Sequence, residues 1–150
     1  MHRRTFFLTV TALPFASLPA LATAADPIQV MKSPTCGCCT GWVDHLHTAG
    51  LTTEIRNVED DQLWTMKSRL GITPELASCH TALAGAYVIE GHVPAKDIQR
   101  LLAEQPAALG LTVPGMPIGS PGMEMGAEKE PFATLLIMAD GSTKVFAQHS

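Results

Sequence analysis

Three thiols crowd into four positions of the stretch Ser33-Pro34-Thr35-Cys36-Gly37-Cys38-Cys39-Thr40-Gly41-Trp42. Cys36 and Cys39 have the C-x-x-C spacing of a thiol–disulfide redox motif, and Cys38 is an added sulfur inside it. The fourth and last cysteine of the chain is Cys79. Thiolates are the reactive and metal-binding form of cysteine, and a helix N-terminus stabilises them through its free N–H groups and its dipole. A cluster of thiolates is a soft donor set, which selects Cu(I), with zinc and iron–sulfur clusters as competitors. One thiolate can bridge two metals, so three adjacent sulfurs and a fourth suit a small cluster. A single tetrahedral zinc asks for better-separated cysteine pairs.

Disulfides are the other chemistry open to these residues. Four thiols allow three pairings. Joining Cys38 to Cys39 makes a strained neighbour bridge, and joining Cys36 to Cys38 makes a tight ring. The pairing of Cys36 with Cys39 and Cys38 with Cys79 fits disulfide geometry. Such bridges can belong to an empty, oxidised site and open on reduction to admit metal.

Other donors lie close by in the sequence. His80 follows Cys79 directly and is a candidate nitrogen ligand. Met116, Met123 and Met125 fall in a segment rich in glycine and proline, with little core to fill. Thioether sulfur binds Cu(I) without losing a proton, so these are candidate ligands, with surface or packing roles as the alternative. Met31, Met66 and Met138 fall in expected regular elements and read as core. His45 comes seven residues after Cys38, on the same side of a helix, and is better placed than His47. His92 and His149 read as solvated.

These side chains need elements to position them. Ile28 and Val30 mark a strand over residues 26–33 that stops at Pro34. Trp42, Val43, Leu46 and Ala49 have helical spacing, and Gly50 ends that helix. Residues 51–60 read as a second strand. Residues 61–71 read as a second helix capped by Asp60 or Asp61 and stopped by Gly71. Residues 72–82 read as irregular. Residues 85–94 read as a strand, a turn at Glu90-Gly91 and a short return strand, and residues 95–104 as a third helix. Residues 110–131 hold five glycines and four prolines and read as one long loop. Leu135–Met138 and Thr143–Phe146 read as a closing hairpin that turns at Asp140-Gly141. A strand–helix–strand opening with cysteines at the first helix entrance is the thioredoxin-like plan. It predicts an α/β fold, a central mixed sheet with flanking helices, and strands one and two parallel. In that plan Cys79 lies just before the third strand, where it faces the C-x-x-C motif.

The chain is 150 residues long, enough for one domain and one core. Its first 24 residues have a basic start, an apolar stretch and small residues at the end, the layout of a secretory leader cleaved after Ala24. Arg3-Arg4 also fits a twin-arginine signal. A single domain is expected over residues 25–150, exported to the periplasm. Without Arg3 and Arg4 it carries 8 basic and 14 acidic side chains, a formal charge of −6. Neither a basic run for nucleic acid nor a later membrane span is apparent in the sequence. Asp60-Asp61 and Glu128–Glu130 read as solvated charge. There is no phosphate-binding glycine loop, no G-x-S-x-G elbow and no H-E-x-x-H pair.

The segments 31–46 (MKSPTCGCCTGWVDHL), 78–82 (SCHTA), 87–102 (YVIEGHVPAKDIQRLL) and 113–124 (VPGMPIGSPGME) together resemble the CopG-like copper-resistance proteins, a periplasmic family. The resemblance spans roughly residues 27–149. It implies a thioredoxin-like fold holding a cysteine-bridged cluster of several copper ions. By matching position, Cys36, Cys38, Cys39 and Cys79 are the implied copper thiols, with His80, Met116 and Met123 as further candidates. The partners implied are copper ions and other periplasmic copper-handling proteins, not nucleic acid and, after leader cleavage, not a membrane. Two other readings stay open: a thiol–disulfide oxidoreductase using Cys36 and Cys39, and a chaperone carrying one Cu(I).

Overall fold

In a computed structural model, β1 (Ile28–Lys32) buries Ile28 and Val30 against α1 (Gly37–Thr48), whose Trp42, Val43 and Leu46 are buried in turn. The structure describes residues 26–150; the expected leader and its cleavage point lie outside them. The chain continues through β2 (Thr53–Asn57), α2 (Asp60–Arg69), β3 (Thr81–Ala84), β4 (Tyr87–Glu90) and α3 (Ala95–Glu104). It ends with β5 (Gly110–Thr112), β6 (Phe132–Ile137) and β7 (Thr143–His149). No helix among the described residues is long and apolar enough to cross a membrane.

All seven strands form one mixed sheet in the order β2-β1-β3-β4-β5-β6-β7. β1 and β2 are parallel, as the crossover through α1 requires, and β3 runs against both β1 and β4. This 2-1-3-4 core is the expected thioredoxin-like plan. β5 joins β4 in parallel, and the β6–β7 hairpin extends the sheet beyond it.

The period-two alternation of strands divides the core. Ala82 and Ile89, paired in register, face the α1 and α3 side. Leu83 and Val88, the next pair, face the other side, with Ile72, Leu76 and Ile137. Thr81 and Glu90 pair in register two positions on, so they share that second side with α2. Lys67 of α2 meets them there: its Nζ lies 2.5 Å from Glu90 Oε1 and 2.8 Å from Thr81 Oγ1. Lys67 and Glu90 are both fully buried.

The two later segments depart from expectation. β3 was hidden in a stretch of small residues, so the hairpin turns at Gly85-Ala86 rather than at Glu90-Gly91, and no strand follows Gly91. Val93-Pro94 leads instead straight into α3. The long loop starts three residues late, because Gly110–Thr112 adds a strand beside β4. Gly110 is required there: a Cβ would overlap the Val88 backbone.

Candidate metal centre

Cys36 is the N-cap of α1, and Cys38 and Cys39 lie in its first turn, where backbone N–H groups have no helical acceptor. No acidic side chain occupies that turn. The positive end of the helix is therefore left to the sulfurs. Cys36 and Cys39, one turn apart, form a disulfide, with Cα atoms 5.4 Å apart. Cys38 and Cys79 are free thiols. The Cys38 sulfur is 3.5 Å from that of Cys36 and 3.7 Å from that of Cys79. The Cys79 sulfur is 3.5 Å from that of Cys39. All four sulfurs lie within 4.8 Å of one another. Of the two bridges expected for the oxidised state, the first is present and the second pair stands poised but unbonded.

Cys79 sits in the segment that leads into β3, and its backbone is pinned on both sides. Glu90 accepts from the Ser78 N–H at 2.7 Å, and the His80 carbonyl accepts from the Gly91 N–H at 3.0 Å. Burial, and next the neighbouring Cys38, push the Cys79 thiol up to about 12. It is thus protonated in the metal-free fold, and a metal must displace that proton. A groove of about 350 Å3 opens between Cys36, Cys79, Lys67 and Trp64, giving solvent a route to the sulfurs.

His92 also reaches this point. Its Nε2 lies 3.1 Å from Cys79 Sγ, and its Nδ1 lies 2.8 Å from the Pro121 carbonyl oxygen. A carbonyl only accepts, so Nδ1 holds the proton and Nε2 turns its lone pair to the sulfur. Burial lowers the His92 pKa and keeps the ring neutral. His80 is fully buried and packs at a tilt of 41° against Trp42, with ring centroids 4.3 Å apart. Its Nδ1 is 3.5 Å from Cys79 Sγ, and its Nε2 has no hydrogen-bond partner among the described residues. Burial and then the nearby His92 and Lys67 hold its pKa well below the usual range.

The glycine–proline loop closes over the same helix end. Gly122, at φ +85°, packs so closely that a Cβ would lie 2.5 Å from the Cys38 carbonyl oxygen and 2.6 Å from the Trp42 nitrogen. Met123 is the next residue, half-buried, its N–H donating to Ser120 and its carbonyl accepting from Gly119. Met116 and Met125 are 50% and 68% exposed.

Comparison with known proteins agrees with this architecture. A solved structure titled copper resistance protein CopG, form 1, is 37% identical, with a TM-score of 0.77, over 84% of this chain and 98% of that one. Its form 2 is 38% identical, with a TM-score of 0.76, over 83% of this chain and all of that one. The chain belongs to the CopG copper resistance protein family. A family model described as a protein of unknown function, DUF411, also matches residues 76–123, a stretch that includes Cys79 and ends at Met123. No curated protein matches it.

Within this CopG fold the sequence-derived candidates separate. Cys36, Cys38, Cys39 and Cys79 converge, and His80 lies beside them. Met123 is carried by the loop that touches α1, while Met116 stands in the exposed approach to that loop. His45 does not join the sulfurs: its Nε2 accepts from the Ala95 N–H at 3.0 Å, at the start of α3. His92, expected in solvent, is fully buried at the site. It had no local signal, because its burial depends on Pro121, 29 residues away. His149, also expected in solvent, pairs with buried Asp97 at 2.9 Å and stacks on Phe132. Met31 is core as expected, while Met66 and Met138 are only half-buried.

Proposed function

We propose that this chain is an exported, periplasmic copper-binding protein of copper resistance. Reduced Cys36, Cys38, Cys39 and Cys79 hold Cu(I) as a multinuclear, thiolate-bridged cluster, with His80, Met116 and Met123 as accessory donors. The observation that carries this reading is the convergence of four sulfurs within 4.8 Å at a helix N-terminus. The family, named for copper resistance, supports the choice of metal.

The chain's own residues define how such a site works. Reduction of the Cys36–Cys39 bridge releases two thiols, so the oxidised pair gates access to the full donor set. The α1 N-terminus offsets the charge gathered on the sulfurs. The loop at Gly122 shields one side, and the groove beside Cys36 leaves the other open. The second part of the proposed role is interconversion of Cu(I) and Cu(II), which balances within the site when two Cu(I) ions give one electron each to the Cys36–Cys39 disulfide, yielding two Cu(II) ions and two thiolates. Other periplasmic copper-handling proteins are the proposed partners.

Titration of the reduced mature protein with Cu(I) in the absence of oxygen, against a competing chelator, tests the reading. Several tightly held copper ions per chain support it. One ion supports a simple carrier, and none removes the proposal. The Cys36–Cys39 bridge itself favours one rival, a thiol–disulfide oxidoreductase. That rival needs only those two cysteines, so it predicts that Cys38→Ser keeps disulfide-exchange activity.

A further inference from the structure

The Cys36–Cys39 bridge must open before the four sulfurs can act together, and the oxidising compartment proposed for the chain favours a closed bridge. We propose that the groove beside Cys36 is the docking site of a partner protein that carries a reduced cysteine pair on a basic surface. The partner opens the bridge by thiol–disulfide exchange at Cys36. This rests on the copper reading of the four cysteines and names the partner that readies them. The chain receives electrons here rather than supplying them.

Three observations carry the inference. First, the two ends of the bridge differ in access. Cys36 is half-buried and lines the groove, whereas Cys39 is fully buried. An incoming thiolate meets Cys36, and Cys39 is the sulfur that leaves. Second, the fold stabilises that leaving sulfur. Cys39 lies in the first turn of α1, where free N–H groups favour a thiolate. The free thiol of Cys79 is 3.5 Å from its sulfur and can donate to it. A thiol that is stabilised as its anion leaves faster. Third, the groove offers features that recognise a protein. Trp64, a residue type that anchors interfaces, lines it and is 49% exposed. Asp60 also lines it, with exposed Glu59 and Asp61 on either side in the chain. Of the nearby cations, Lys67 is paired with Glu90, and Lys32 is buried with its Nζ on the Ser33 carbonyl. The rim is therefore acidic and steers a basic partner toward the bridge.

The exchange balances in two steps. A partner thiolate bonds to Cys36 Sγ as the Cys36–Cys39 bond breaks, and Cys39 leaves with the electron pair. The partner's second thiolate then attacks its own sulfur in the mixed disulfide and expels Cys36 as a thiolate. Two electrons reach the chain, the partner ends as a disulfide, and its thiol protons pass to water or to the released sulfurs.

The test uses the oxidised mature chain without copper or oxygen. Two short dithiol peptides share one core, flanked by lysines in one and by glutamates in the other. Dithiothreitol is the small neutral reference. Bridge opening is timed by alkylating the thiols and counting them by mass. Each peptide's rate is divided by its rate with hydroxyethyl disulfide, which removes the effect of the flanks on the thiols themselves. The inference predicts that at low salt the lysine peptide is faster by ~10-fold or more, and that salt erodes the difference. Glu59→Gln, Asp60→Asn and Asp61→Asn together should bring the ratio toward one. Trp64→Ala should slow both peptides, while dithiothreitol opens every chain alike. A one-thiol form of the lysine peptide should be caught on Cys36. The wild-type ratio stands even where a variant folds poorly. Equal peptide rates in the wild type, a ratio untouched by the charge substitutions, or capture on Cys39 overturns the inference. These rates need no metal, so a chain that fills with Cu(I) but shows equal rates loses this inference alone. A chain reduced with the predicted preference that takes up no copper loses the copper reading instead.

Discussion

The sulfur of Cys79 lies 3.5 Å from that of Cys39, although 40 residues separate them in the chain. The contact joins the first turn of α1, the helix that follows β1, to the entrance of β3, the strand paired with β1. It turns a local triplet of thiols into a quartet, and each member should count.

Cys79→Ser should therefore lower the copper content of the reduced protein by more than one ion per chain, since its sulfur borders the whole cluster. Cys38→Ser should do the same while leaving the Cys36–Cys39 bridge able to form. Metal analysis and thiol counting check both. A Cys38→Ser protein with full copper content would contradict the cluster.

Gly122→Ala should be costly at two levels. The residue has φ +85°, a conformation that costs other residues about 1–3 kcal/mol, and the new methyl would press on the Cys38 carbonyl. Urea denaturation should show that loss, and Cu(I) affinity should fall with it as the first turn of α1 is displaced. Gly126→Ala is the control. Gly126 has a similar φ of +84° but nothing within reach of its Cβ, so it should lose stability without losing copper affinity.

Glu90 and Lys67 form a fully buried ion pair behind the Cys79 segment. Removing one partner, as in Glu90→Ala, strands a buried charge and should cost about 3–5 kcal/mol. It also frees the Ser78 N–H, loosening the turn that carries Cys79. Replacing both partners with apolar residues of similar volume should recover most of the stability but not the placement of Cys79. Urea midpoints and copper affinity, measured on both variants and the wild type, should therefore diverge.

Acid should destabilise the metal-free protein before the carboxylates titrate. Burial holds His45, His80 and His92 below the ordinary histidine range, so the folded chain keeps them neutral. Below about pH 6.5 the unfolded chain binds protons that the folded chain refuses, and stability falls as pH drops. Glu90, raised by burial, works in the opposite direction, as one group against three. Urea midpoints measured from pH 7.5 to 5 should decline, and His45→Gln should flatten the slope.

Spacing alone exposed the cysteine motif, because its chemistry is local. The helices were legible for the same reason: Ile98, Leu101 and Leu102 mark α3, and Gly50 and Gly71 mark the stops of α1 and α2. β3 and β5 were not, because Thr81–Ala84 and Gly110–Thr112 are short and carry small residues. Their strand identity comes from pairing with β1, β4 and β6 rather than from their own pattern. His92 and His149 look solvated in the sequence for a related reason. What buries them, Pro121 for one and Asp97 with Phe132 for the other, is distant in sequence.

The central claim is that the four thiolates share their metal. Copper K-edge absorption on the reduced, Cu(I)-loaded protein tests it most directly, through the copper–copper distance. The account predicts sulfur neighbours together with a short copper–copper vector that disappears in Cys79→Ser. Copper bound with no copper neighbour, or a copper–copper vector untouched by that substitution, would contradict it.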